Sequence, residues 1–177
     1  MCEDRVGFTL WFTGLPCSGK STVADRVAEM LKERRSYVER LDGDIVRKDL
    51  TRDLGFSKAD RDENIRRVTF VAKLLSRNGV AVLVSFISPY RELRDRARQE
   101  TTNFVEVYCR CPLEVCASRD VKGMYQKALR GEIKEFTGVS DPYEEPLAPE
   151  LVLDTDKESV EESAGRVMKK LEELGFL

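Results

Sequence analysis

Thirteen residues near the start, "LWFTGLPCSGKST" over 10–22, restrict this chain more than any other feature. Gly14, Gly19, Lys20 and Ser21 fit G-x-x-x-x-G-K-[ST], and an apolar run, Phe8 to Phe12, precedes them. Behind them Val23, Val27, Met30 and Leu31 recur at helical spacing, so the motif has the strand–loop–helix setting it needs. The glycines let consecutive backbone N–H groups turn inward around an anion, and the helix start adds its positive dipole end. Lys20 can reach the β- and γ-phosphates, and the Ser21 hydroxyl can ligate Mg²⁺. The chain is expected to bind a nucleoside triphosphate through Gly14, Cys17, Ser18, Gly19, Lys20, Ser21 and Thr22.

A phosphate loop of this kind needs a sheet behind it. YVERL (37–41), VAVLVSF (80–86), FVEVYCR (104–110) and LVLD (151–154) read as further strands. Helical patterns lie between them at about 58–77, 91–99, 113–130 and 157–174. Ser57 with Asp60 is a variant capping box, Thr155 with Glu158 a standard one, and Asn78-Gly79 and Gly175 read as stops. Alternating β and α with apolar strands predicts a parallel sheet covered on both faces. The stretch 131–149, "GEIKEFTGVSDPYEEPLAP", holds two glycines and three prolines and reads as a mobile loop or lid. With 177 residues and no long linker, one domain over 1–177 is expected.

Several chemistries are excluded at once. The chain has no histidine, so any proton acceptor must be a carboxylate, a lysine or a similar group. No apolar run approaches the ~20 residues of a membrane span, and MCEDRVG is too acidic and too short before the first strand to act as a signal peptide. Five cysteines, an odd number, point to free thiols and a cytoplasmic setting. Cys109, Cys111 and Cys116 match structural zinc spacing poorly and read as small core residues. The formal charge of −2 argues against nucleic-acid binding, yet residues 47–98 hold 13 Lys+Arg against 7 Asp+Glu. Such a cluster suits a compact anionic substrate, although a solvated helical face gives the same count.

The destination of the phosphate is read from the strand ends. "LDGDIVR" places Asp42 and Asp44 at the carboxyl edge of the sheet, where open α/β folds bind ligands. Two carboxylates there can orient Mg²⁺ and accept a hydroxyl proton; an Asp-Gly turn with solvated carboxylates has the same sequence. "GFSKADRDENIRR" opens a helix with Arg61 and Asn64 on one face and Phe56 in the turn ahead. That face can offer a guanidinium and an amide to an anion beside a stacking ring, while a charged helix start with Phe56 as a hydrophobic staple remains the alternative. "SFISPYRELR" puts Ile87 and Ser88 at the same edge, and Arg119, Lys122, Lys127 and Arg130 precede the loop with Phe136.

Taken with the phosphate loop, "DGDIVR", "GFSKADRDENIRR", "FISPYR", "RDVKGMYQKALRGEIKEFTG" and "DPYEEPLAPEL" resemble the adenylyl-sulfate kinase family over nearly the whole chain. The resemblance implies a P-loop kinase fold with sheet order 2-3-1-4-5, helices on both faces and a lid at about 122–149. It implies ATP- and Mg²⁺-dependent phosphorylation of the ribose 3′-hydroxyl of adenylyl sulfate, yielding 3′-phosphoadenylyl sulfate in sulfate assimilation. Many members are dimers, so a homodimer and an association with ATP sulfurylase are the partners expected by resemblance. Carried over, it makes Asp44 the proton acceptor, supported by Asp42, with Lys20 and Ser88 also in the catalytic set and Ser21 on the metal. Arg47, Arg61, Asn64 and Lys122 would hold the anion and ribose, Phe56 and Phe136 the adenine of adenylyl sulfate, Ile87 and Ser88 the pocket wall, and Arg119 the adenine of ATP. Family loops often carry glycine where Cys17 stands, asparagine at Ile45 and glycine at Glu135. Another small-acceptor kinase, or a nucleotide-sensing module without turnover, are the rival readings. Cys17, among inward N–H groups and near Lys20, is expected to have a lowered thiol pKa.

Overall fold

The computed structural model describes residues 6–35 and 37–177. Five strands form its frame: β1 Phe8–Thr13, β2 Val38–Asp42, β3 Ala81–Ser85, β4 Phe104–Arg110 and β5 Leu151–Asp154. All pair in parallel in the order β2-β3-β1-β4-β5. The helices are α1 Lys20–Arg34, α2 Gly43–Val46, α3 Lys58–Ser76, α4 Arg91–Glu100, α5 Leu113–Ser118, α6 Met124–Leu129 and α7 Val160–Glu173. Both the parallel sheet and its order agree with the expectation.

The sheet is covered on both sides because β1 is apolar on both. Phe8, Leu10 and Phe12 face one way and pack with Val27 and Leu31 of α1 and Val167 and Leu171 of α7. Trp11 faces the other way, with Val82 and Val84 of β3, Ile65 and Val68 of α3 and Ala97 of α4. This is the period-2 alternation of a strand buried on both faces. Burying each of these large side chains contributes about 1.5–3 kcal/mol. The ligand-bearing loops therefore stand on a rigid base.

Three local expectations need correction. The box that caps α7 is Ser159 with Glu162, not Thr155 with Glu158, so the helix starts at Val160. The stretch 113–130 is two short helices, α5 and α6, because Gly123 adopts φ 66 and Asp120 turns back to accept from the Lys122 and Tyr125 amides at 3.2 and 2.6 Å. The loop 131–149 also divides. Residues 135–141 fold around a Thr137–Asp141 bridge, whereas 142–145 form a strap tied to the body: the Tyr143 hydroxyl lies 2.9 Å from Thr13 Oγ1, and the Glu144 amide donates to the Pro89 carbonyl.

Candidate active site

The phosphate loop joins β1 to α1. Gly14 has φ 152, and a Cβ there would lie 2.5 Å from the Cys109 carbonyl oxygen and 2.7 Å from Ser18 Oγ, so no larger residue fits. Gly19 caps α1 at φ 85. Lys20 is buried and donates to the Gly14 and Leu15 carbonyls at 3.1 and 2.6 Å. Burial lowers its pKa, against the opposing influence of neighbouring thiols and Asp42. Beside the loop runs a cleft of about 480 Å³ lined by Cys17, Lys20, Thr22, Arg119, Thr155 and Val160, among others. A larger hollow of about 700 Å³ lies between Arg110–Leu113 and residues 138–143, and none of the predicted site residues lines it.

Cys17 departs from the expectation of a lowered thiol pKa. It is exposed at φ 61, a conformation that favours glycine, so it does not fit the loop without strain. Its thiol pKa is raised rather than lowered. Partial burial and the Asp120 carboxylate outweigh Lys20, Lys122 and Arg119. Cys109, Cys111 and Cys116 are buried as expected, and burial pushes the Cys109 and Cys116 thiols up to about 12.

Asp42, at the end of β2, is a hub. Its carboxylate accepts from Ser21 Oγ at 2.6 Å, Ser85 Oγ at 2.9 Å and the Asp44 amide at 3.0 Å, with Arg40 at 3.5 Å. Burial works against its ionisation, but these hydrogen bonds and Arg40 prevail and hold its pKa below the ordinary carboxylate value. Asp44, on the first turn of α2, instead projects outward and pairs with Lys122 at 3.1 Å. The hydrogen bond that Lys122 donates to the Asp44 carboxylate, with that group's charge, raises the Lys122 pKa.

Arg47, Phe56, Arg61 and Asn64 come from the end of α2 and the start of α3, and Phe136 lies beside Tyr125 of α6. The Arg47 guanidinium lies 4.5 Å from the centre of the exposed Phe56 ring, so Phe56 is no buried staple. Arg61 and Asn64 share the buried face of α3. Arg61 bonds the Phe56 carbonyl at 2.8 Å, Thr137 Oγ1 at 2.5 Å, Asp141 at 3.2 Å and the Glu135 carbonyl, and so ties α3 to the lid. Asn64 Oδ1 is buried with no partner among the described residues. Phe136 packs edge-on against Tyr125 at 4.9 Å, and the Tyr125 hydroxyl donates to the Pro16 carbonyl at 2.8 Å, which links lid and phosphate loop.

Ser88 is placed otherwise than expected of a catalytic hydroxyl. It is 2 % exposed, accepts from the Trp11 indole N–H at 3.0 Å and donates to Thr13 Oγ1 at 3.1 Å. Thr13 in turn donates to the Ile87 carbonyl at 2.8 Å. Sequence reasoning missed Thr13, Ser85, Arg40 and Thr155. Thr155 Oγ1 donates to the Ser18 carbonyl at 2.9 Å, and the Thr155 carbonyl accepts from Arg119 at 2.7 Å. No local signal marks Thr13, Ser85 or Thr155, whose partners lie on distant segments; Arg40 stands two residues before Asp42 on β2, a spacing that places both on one face of the strand.

A glycine loop between β1 and α1, a carboxylate–hydroxyl pair at the end of β2 and a lid tied across the same edge define a P-loop kinase. The adenylylsulphate kinase family profile matches residues 6–154. The adenylyl-sulfate kinase of Halothermothrix orenii is 62% identical over 99% of this chain and 95% of its own length, and that of Picosynechococcus is 58% identical over 98% of each. The structure of the Mycobacterium tuberculosis APS kinase CysC, in complex with AMPPNP and APS, superposes with a TM-score of 0.90 at 47% identity over 95% of this chain and 99% of that one. The chain belongs to the adenylyl-sulfate kinase family.

Proposed function

We propose that the chain transfers the γ-phosphoryl group of ATP to the ribose 3′-hydroxyl of adenylyl sulfate, giving 3′-phosphoadenylyl sulfate and ADP. The observation that carries this reading is the pairing of two half-sites across Asp42 and Asp44. On one side stands the phosphate loop; on the other, Arg47 lies over Phe56, with Arg61, Asn64 and Phe136 beside them.

Phosphoryl transfer asks mainly for positioning and neutralised charge. Lys20 and the loop amides hold the donor phosphates, and Arg119 and Thr155 border the cleft that takes the base. The Ser21 hydroxyl and Asp42 carboxylate, 2.6 Å apart, are hard oxygen donors that suit Mg²⁺ held by one or two protein groups together with phosphate and water. When bound there, Mg²⁺ neutralises charge on the transferred group. Asp44 accepts the 3′-hydroxyl proton, with Lys122 holding its carboxylate in place. Arg47 and the Asn64 amide face the anion and ribose, and the Phe56 ring offers a stacking surface for adenine. Arg61 fixes Phe136 through its bonds to Glu135 and Thr137. A homodimer and an association with ATP sulfurylase belong to the proposal through family resemblance.

The test is ADP release in a coupled assay with MgATP and, in turn, adenylyl sulfate, gluconate, shikimate and nucleoside monophosphates. Release dependent on adenylyl sulfate alone is expected. Release with another acceptor and none with adenylyl sulfate would overturn the proposal.

A further inference from the structure

Arg94 lies on the inner face of α4 and is 2 % exposed. Its guanidinium spends each nitrogen on a different segment. Nε donates to Glu106 of β4 at 2.8 Å, and the two terminal nitrogens donate to the Ser88 and Glu144 carbonyls at 2.6 Å each. The same group lies 5.7 Å from the Tyr143 ring centre. Only the bond to Glu106 is needed to neutralise the charge; the other two hold backbone.

The backbone they hold is the acceptor-side wall. Ser88 sits at φ 40, a strained conformation for a residue with a Cβ, and such a turn persists only when its surroundings over-determine it. Here the restraints are explicit. Thr13 holds the Ile87 carbonyl, Trp11 and Thr13 hold the Ser88 hydroxyl, and Arg94 holds the Ser88 carbonyl. Through the Glu144 carbonyl, Arg94 also fixes the strap whose Tyr143 hydroxyl contacts Thr13. We propose that Arg94 is a positioning residue for the acceptor: it locks the Ile87–Ser88 turn and the 142–145 strap into one rigid wall of that half-site. The proposal rests on the acceptor reading above. The buried Ser88 hydroxyl belongs to the same restraint, as a structural bond.

Arg94→Lys keeps a cation opposite Glu106 but cannot reach three partners in fork geometry. Ser88→Gly relaxes the same turn without touching the buried ion pair. Arg35→Lys serves as the control, because Arg35 is also buried but donates to the Val6 and Gly79 carbonyls at the opposite edge of the sheet. Melting temperatures and initial rates with each substrate varied are measured for all three. Arg94→Lys should raise KM for adenylyl sulfate about ten-fold and leave KM for ATP within about two-fold, as expected for a misplaced wall on one side of the site. Ser88→Gly should shift in the same direction, and Arg35→Lys should melt earlier with both KM values unchanged. Chymotryptic cleavage at Tyr143, which needs no substrate, should accelerate in Arg94→Lys alone. Equal rises in both KM values, or unchanged acceptor KM with unchanged cleavage, would overturn the proposal. Should Arg94→Lys fail to fold, an unaltered acceptor KM in Ser88→Gly overturns it independently. The parent enzyme's response to adenylyl sulfate, measured first, judges the function separately, and the cleavage result stands whatever that response is.

Discussion

Asp42 and Asp44 are two residues apart and chemically identical, yet their surroundings assign them different work, and amide substitution should separate them. The Asp42 carboxylate receives the Ser21 and Ser85 hydroxyls on one oxygen and the Asp44 amide on the other. Asparagine offers one acceptor oxygen, so an NH₂ must face either the hydroxyls or the amide. At least one hydrogen bond to a charged group is lost, worth about 1.5–3 kcal/mol, or roughly ten- to a hundred-fold in a binding constant. Because Ser21 belongs to that set, Asp42→Asn should raise the Mg²⁺ concentration for half-maximal rate by about that factor. It should also lower the melting temperature. The Asp44 side chain is 79% exposed and its Lys122 partner 69%, so Asp44→Asn should leave melting unchanged. Its kcat should fall by roughly 10²–10⁴, the usual contribution of a general base, with Mg²⁺ dependence unaltered. Coupled ADP release titrated with Mg²⁺, beside thermal melting, reads all four quantities. Normal turnover in Asp44→Asn with a collapse in Asp42→Asn would exchange the two roles. An unaltered Mg²⁺ requirement in Asp42→Asn would refute the reasoning about the hub. The pH dependence carries the same sign. A carboxyl whose pKa is lowered from 3.8 on folding stabilises fully above that value and loses its contribution as pH falls through the depressed one. The Asp42→Asn variant should therefore lose less of its melting temperature than the parent in that acid range.

Gly14→Ala should abolish ATP binding, since its Cβ would meet the Cys109 carbonyl oxygen at 2.5 Å; nucleotide titration followed by melting checks this, and normal binding would remove the close-approach argument. Cys17 should alkylate slowly at neutral pH because its thiol pKa is raised, and its iodoacetamide rate, mapped by mass spectrometry, should increase as pH passes above 9.0. Fast labelling at pH 7 would restore the electropositive reading. Limited trypsin digestion of the free enzyme should cut at Arg130 or Lys134, which are exposed. Chymotryptic cleavage at Phe136, in the segment held by Arg61, should become fast only when Arg61→Ala breaks those ties.

What was legible in the sequence follows the range of the interactions. The phosphate loop spans eight residues and its chemistry is local, so its cradle and flanking elements could be read directly, and period-2 and helical patterns placed the sheet. Thr155 shows where local reading stops. Thr155–Glu158 and Ser159–Glu162 are equally good capping boxes four residues apart. The choice is made by the phosphate loop, whose Ser18 carbonyl takes the Thr155 hydroxyl, leaving Ser159 to cap α7. Ser88 is decided in the same way by Trp11, 77 residues away. For Cys17 only Lys20 is visible nearby in the chain; the burial and the Asp120 carboxylate that prevail, like Arg119 and Lys122, come from the fold.

The arginine-rich stretch carries that argument one step further. A count of charge over 47–98 predicts an anion-binding surface, and a count is all that composition provides. In the folded chain Arg66 and Arg67 engage Glu63, Arg67 also engages Asp53, Arg96 engages Glu100, and Arg98 engages Glu150. Arg94 is consumed by Glu106 and two carbonyls. Those arginines are occupied by carboxylates of their own helices or by neighbouring segments. Arg47 differs, since its guanidinium lies over an exposed ring, close enough to Arg61 that burial and like charge lower its pKa. A half-buried guanidinium disfavoured by a like-charged neighbour gains by receiving an anion. The part of the cluster that matters for the acceptor is therefore Arg47: among the described residues its guanidinium forms no ion pair, donates only to the Leu54 and Gly55 carbonyls and lies over the exposed Phe56 ring, whereas Arg61 is already tied to Asp141 and the lid.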